Sequence, residues 1–176
     1  MQRIILVYGA IAGLVVIGSA ILTMMFTGGE HTSHSASMWL GYLVMLIALS
    51  SIFVAIKRYR DRQLGGVIRF GTATLLGLGI TLVASVVYVA VWEVYLAMTD
   101  HAFINTYVEG IIAARQAEGV SGAELDALIA NMETLREQYA NPLFRLPMTF
   151  LEIFPVGLLV TLVSAAILRN SKGKAV

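Results

Sequence analysis

Residues 70–98 read FGTATLLGLGITLVASVVYVAVWEVYLAM, an apolar run broken by a single charge, Glu93. About 20 apolar residues in a helix rising 1.5 Å each cross a hydrocarbon core of roughly 30 Å, so this run spans a bilayer with length to spare. Working outward, three more runs have the same character, at about 4–26, 38–56 and 146–168. The chain of 176 residues is 58% hydrophobic and 13% charged, with a mean hydropathy of +0.80, whereas a soluble domain carries charge on about a quarter of its residues. The expectation is a single integral membrane domain over 1–176. Its fold class is all-α: a four-helix transmembrane bundle with an extramembrane helical hairpin between helices 3 and 4. The first run exceeds the roughly 7–15 residues of a signal-peptide core and is read as a retained helix.

Orientation follows from the basic residues, which favour the cytoplasmic side. Arg3, Lys57, Arg58, Arg60, Arg62, Arg69, Arg169, Lys172 and Lys174 fall on one side of the four runs. The other side receives Arg115, Arg136 and Arg145 together with most of the acids: Glu30, Asp100, Glu109, Glu118, Glu124, Asp126, Glu133 and Glu137. Both termini are therefore expected in the cytoplasm, with the acidic segment facing outward, which in a bacterium is the periplasm. Trp39, Tyr42, Trp92 and Tyr95 lie near the outer ends of their runs, where interfacial aromatics belong.

The segment at about 100–141 is too polar for a fifth span. Phe103, Ile104, Tyr107, Val108, Ile111 and Ile112 recur at helical spacing, and so do Leu125, Leu128, Ile129, Met132, Leu135 and Tyr139. Gly119 separates the two stripes, and Ser121 with Glu124 has the form of a capping box opening the second helix. The hairpin is expected to cap the bundle, the other reading being a face for a partner. Within the spans, Gly9 and Gly13 form a small-xxx-small pair, and Gly41, Ala48 and Ala55 recur every seventh residue. Such positions permit close helix contact in lipid, within one chain or between two.

A carboxylate at membrane depth is costly and marks a partner, an ion site or a cavity. Glu93 lies about five residues from the outer end of run 3, and Glu152 about five residues into run 4, so matching depth and a shared site are expected, with Arg145 as the nearest cation. Pro155 removes a backbone donor and frees polar groups beside Glu152. Alternatively Arg145, or a hydroxyl such as Thr149 or Tyr88, neutralises the acids and locks helix 3 to helix 4. The loop GGEHTSHSAS holds Glu30, His31 and His34 but offers no fourth ligand, so no metal site is expected. The basic run KRYRDR can meet anionic lipid headgroups through Lys57, Arg58, Arg60 and Arg62. It is too short and too close to the bilayer for nucleic acid. There are no cysteines, and no Ser/His/Asp, HExxH or phosphate-loop pattern is present, so neither a catalytic residue nor a cofactor is expected.

The segments IFVAIKRYRD, GGVIRFGTA, YVAVWEVY, NPLFR and TFLEIFPVGLLVTLVSA occur in this order and resemble a bacterial inner-membrane family of unknown function, DUF4199. The resemblance implies four membrane helices and a variable outer loop, and it brings no substrate or site residue. Two functions follow as expectations: a non-catalytic structural or accessory subunit with a periplasmic hairpin, or a small proton- or ion-coupled carrier or channel using Glu93 and Glu152. The carrier would be a homodimer, because one four-helix bundle leaves little room for a pathway.

Overall fold

The computed structural model describes residues 1–27 and 34–170. Among them the helices are α1 (Gln2–Thr27), α2 (His34–Leu49), α3 (Ser51–Gln63), α4 (Phe70–Met98), α5 (Ala102–Ala117), α6 (Ala123–Ala140) and α7 (Pro142–Leu168). Four stretches are long and apolar enough to cross a membrane: Gln2–Met25, Gly41–Gln63, Phe70–Met98 and Pro142–Leu168. Their outward faces carry exposed Leu6, Ile11, Leu22, Val86, Leu151 and Ile167. An apolar surface of that extent suits lipid rather than water. Glu30, His31 and the side chain of His34, with Lys172 and Lys174, lie outside the described residues.

The second run differs from its expected bounds. Instead of ending at residue 56, the helix continues to Gln63, carrying Lys57, Arg58, Arg60 and Arg62 on α3. Lys and Arg are good helix formers, and nothing stops the helix before Gly65 and Gly66, whose φ values of +62° and +90° turn the chain. Ser50 interrupts the run between α2 and α3 by donating its hydroxyl to the Ile47 carbonyl at 2.6 Å. That bond competes with helix pairing, and Ser pairs recur at helix bends. At the basic end of the bundle Ile68 and Asn170 exchange backbone hydrogen bonds of 3.2 and 3.0 Å, fastening the α3–α4 connection to the end of α7.

Around the bundle the order is α1, α4, α7 and then α2–α3; α4 is the central packing partner, gripped by α1 on one side and α7 on the other. A side chain at Gly9 would collide with Val83, its Cβ only 2.6 Å away, and one at Gly13 would meet the Ala84 carbonyl at 2.6 Å. The small-xxx-small pair on α1 thus serves a contact inside the chain. Gly41 faces open space, Ala48 is partly buried and Ala55 is fully buried, so the seven-residue stripe packs only toward its α3 end.

The expected pair of helices between spans 3 and 4 is present as α5 and α6, packed on each other. The capping box is not. Gly122, at φ +62° and ψ −144°, occupies the N-cap of α6 with no side-chain cap, because the chain enters the helix through a backbone state that favours glycine and leaves Ser121 one residue too early. The α4–α5 turn is tight: Asp100 and His101 both adopt positive φ, which these residue types tolerate better than most.

Candidate functional site

The site is built on the α4–α7 crossing, which runs antiparallel. Gly77 and Thr81 on α4 face Gly157 and Thr161 on α7 reciprocally. A Cβ at Gly77 would strike the Thr161 side chain and one at Gly157 the Thr81 side chain, while the two hydroxyls hydrogen-bond at 3.2 Å. A Gly-xxx-Thr on each helix brings the backbones together, and the hydroxyls satisfy each other where no water is at hand. With the helices fixed by that crossing, the side chains one to three turns toward the α5–α6 end must meet across the same seam.

The first pair along it is Tyr88, whose hydroxyl donates to Oε2 of Glu152 at 3.1 Å. The next is Glu93 with Arg145. The guanidinium grips both carboxylate oxygens, Nε to Oε1 at 2.8 Å and Nη2 to Oε2 at 2.6 Å, while Nη1 donates to the Tyr139 carbonyl at 3.0 Å. Arg145 is 4% exposed and Glu93 29%. A two-pronged guanidinium–carboxylate fork is strong and orienting, and removing Glu93 strands the buried guanidinium in poor solvent.

This geometry corrects the expected matching depth. α7 begins at Pro142 rather than 146, because Pro suits the first helical position and the Asn141 side chain accepts from the Leu143 amide at 3.0 Å, capping the helix. Arg145 is therefore inside the helix, and Glu152 stands level with Tyr88, five residues or about 7.5 Å along α4 from Glu93. The three residues singled out in sequence separate into a closed ion pair, Glu93 with Arg145, and a second acid, Glu152, held by Tyr88. Arg145 turns to Glu93 and not to Glu152, and Thr149 donates back to the Arg145 carbonyl at 3.0 Å.

Sequence reasoning missed the aromatic cluster that joins the hairpin to this seam. Trp92 donates its indole N–H to the Tyr139 hydroxyl at 2.8 Å. It stacks on Tyr95 at 5.4 Å and meets Phe103 edge-on at 4.8 Å, and Phe103 stacks in turn on Tyr107 at 5.9 Å. The Arg145 guanidinium sits 5.7 Å from the centre of the Tyr139 ring. Burial holds the Tyr139 hydroxyl above the usual tyrosine range, the Trp92 bond and nearby Arg145 opposing that shift. The signal was present in outline: Phe103, Tyr107 and Tyr139 all lie on the apolar stripes of the hairpin, and Trp92 is beside Glu93.

α1 and α7 both pack on α4 and scarcely touch each other, which leaves space between them at the α5–α6 end. A cavity of about 320 Å³ lies there, lined by Ala20 and Met24 of α1, Tyr88 and Trp92 of α4, Phe103, Ile104 and Tyr107 of α5, Leu135 and Tyr139 of α6, and Met148, Thr149 and Glu152 of α7. Its volume falls at the lower end of the roughly 300–1,000 Å³ typical of small-molecule sites, and its lining is mostly apolar with a few polar groups, as such sites are. Glu152 is the acid that lines it; Glu93, engaged by Arg145, does not.

No curated protein and no solved structure matches the sequence. A family model described as a protein of unknown function matches residues 7–170, which includes both glutamates, the arginine and the entire cavity lining. The chain belongs to that family, DUF4199.

Proposed function

We propose that the chain is a non-catalytic accessory protein of the bacterial inner membrane, with both termini in the cytoplasm and the α5–α6 hairpin in the periplasm as a fixed cap over an outer-leaflet cavity. The observation that carries this reading is the use of Arg145. Its guanidinium is spent on Glu93 and on the Tyr139 carbonyl, so the one buried cation near the acids among the described residues fastens α4, α6 and α7 together. A proton-coupled carrier built on two interacting acids needs both to be free to titrate, and Glu93 is closed in a fork. The basic residues of α3, at the opposite end of the bundle, supply the orientation and a surface for anionic lipid.

A second reading is favoured by one observation, that Glu152 reaches the cavity without an ion-pair partner among the described residues. A carrier using Glu152 alone, in a dimer, follows from it. Purified protein in liposomes loaded with a pH-sensitive dye separates the two. Under an imposed pH gradient the accessory reading expects the proton leak of protein-free liposomes. A faster flux that Glu152→Gln abolishes overturns it in favour of the carrier. For orientation, alkaline phosphatase fused after Gly119 is expected to be active and after Arg62 inactive; the reverse pattern overturns the topology.

A further inference from the structure

The cavity has a composition that selects one class of ligand. Five aromatic side chains, Tyr88, Trp92, Phe103, Tyr107 and Tyr139, share its wall with a single carboxylate, Glu152. Aromatic faces attract cations through the negative charge of their rings, most strongly where water is excluded, and groups of such rings recognise quaternary ammonium ions. The thioethers of Met24 and Met148 add soft, polarisable surface to the same wall. No lysine, arginine or histidine is among the lining residues, and the nearest buried cation, Arg145, is engaged by Glu93. Among the described residues the charge of the cavity is therefore supplied by Glu152 alone, and an apolar chamber with one acid is complementary to an apolar molecule with one positive charge. An anion would meet Glu152 directly, and a neutral apolar ligand would leave this exposed acid, which accepts a hydrogen bond from Tyr88, without a counter-charge.

Resting on the capped outer cavity of the preceding reading, we infer that this chamber binds an organic ammonium ion, its cationic head against Glu152 and the rings and its apolar body against Met24, Ile104 and Leu135. The same chemistry is presented by the headgroup of an ammonium-bearing lipid and by a diffusible amphiphilic amine.

Trp92 reports on the site directly. The chain has two tryptophans, and the other, Trp39, is 75% exposed on α2, so Trp39→Phe leaves one indole on the cavity wall. Full-length protein with that change, in maltoside micelles that contain no ammonium group, is titrated with benzyltrimethylammonium, with its uncharged carbon analogue neopentylbenzene, and with benzylsulfonate. Saturable quenching of Trp92 by the cation is expected, with binding at least about tenfold tighter than for either analogue. Glu152→Gln is expected to weaken the cation by about tenfold and to leave the neutral compound unchanged. Because Glu152→Gln alters the Tyr88 bond, Ala20→Phe, which fills the chamber from α1, gives an independent variant and is expected to abolish saturation. Equal binding of cation and neutral analogue, or a cation affinity unaffected by either variant in protein that remains folded by circular dichroism, overturns the inference. Displacement by short-chain phosphatidylethanolamine assigns the site to a lipid headgroup, and its failure assigns it to a diffusible cation. Absent quenching with the phosphatase reporters in their expected pattern removes the ligand assignment alone, whereas reversed reporters remove the outer-leaflet placement beneath it.

Discussion

Glu93→Gln keeps the size of the side chain and removes its charge, leaving the Arg145 guanidinium 4% exposed with the Tyr139 carbonyl and the Tyr139 ring as its remaining neighbours. Deleting one member of a buried ion pair costs roughly 3–5 kcal/mol, because the survivor is left charged and poorly solvated. Glu93 is 29% exposed, so water already reaches it and the lower bound of about 3 kcal/mol applies. Arg145→Met leaves the partly exposed carboxylate behind; it can rehydrate, and about 1–2 kcal/mol is expected, close to the loss of one charge-assisted bond. In the double variant nothing charged remains to be stranded, and its destabilisation should fall near that of Arg145→Met alone. The cycle thus predicts a coupling of about 3 kcal/mol, well beyond the roughly 0.3–0.5 kcal/mol scatter of independent sites. Unfolding in mixed micelles of rising denaturing-detergent fraction, followed by tryptophan emission, measures all four corners. Additive single changes would refute the structural role given to this pair and return Glu93 to the list of titrating candidates.

The remaining expectations concern the seam and the caps. Gly157→Ala drives a methyl into the Thr81 side chain and should cost about 1–3 kcal/mol by overpacking, with partial recovery in Gly157→Ala combined with Thr81→Ala; a neutral or stabilising Gly157→Ala in the same unfolding assay would contradict the close crossing. Asn141→Ala removes the side-chain cap of α7 and should cost about 1 kcal/mol, whereas Ser121→Ala, at the capping box that does not form, should stay within about 0.5 kcal/mol. Trp92→Phe removes the donor to Tyr139, and limited proteolysis within residues 118–122 should then be faster if that bond fastens the hairpin; an unchanged cleavage rate would detach Trp92 from that task.

Much of the molecule is legible in one dimension because lipid imposes simple rules. The run at 70–98 matches α4 end to end, since its apolar length is bounded by Arg69 before it and by the polar Thr99–Asp100 turn after it. Two other boundaries moved for reasons hydropathy does not weigh. Lys57 to Arg62 remain helical because propensity continues past the apolar limit, and Leu143 to Arg145 join α7 because Asn141 and Pro142 form a start signal independent of polarity. The candidate acids were found from the sequence, since any carboxylate inside an apolar run stands out against the cost of placing it there. Their pairing was not, because it depends on a register between α4 and α7 that is set by Gly77, Thr81, Gly157 and Thr161, residues common enough in membrane helices to carry no sequence signal of their own. The cavity is further still from the sequence: it exists because α1 and α7 each prefer α4 to one another while residues on α5 and α6 roof the space between them. Apolar length and local charge are properties of a segment and can be read from it, whereas the division of Glu93 into a closed ion pair and Glu152 into an open chamber depends on which face of each helix meets which neighbour, and only the packed structure fixes that.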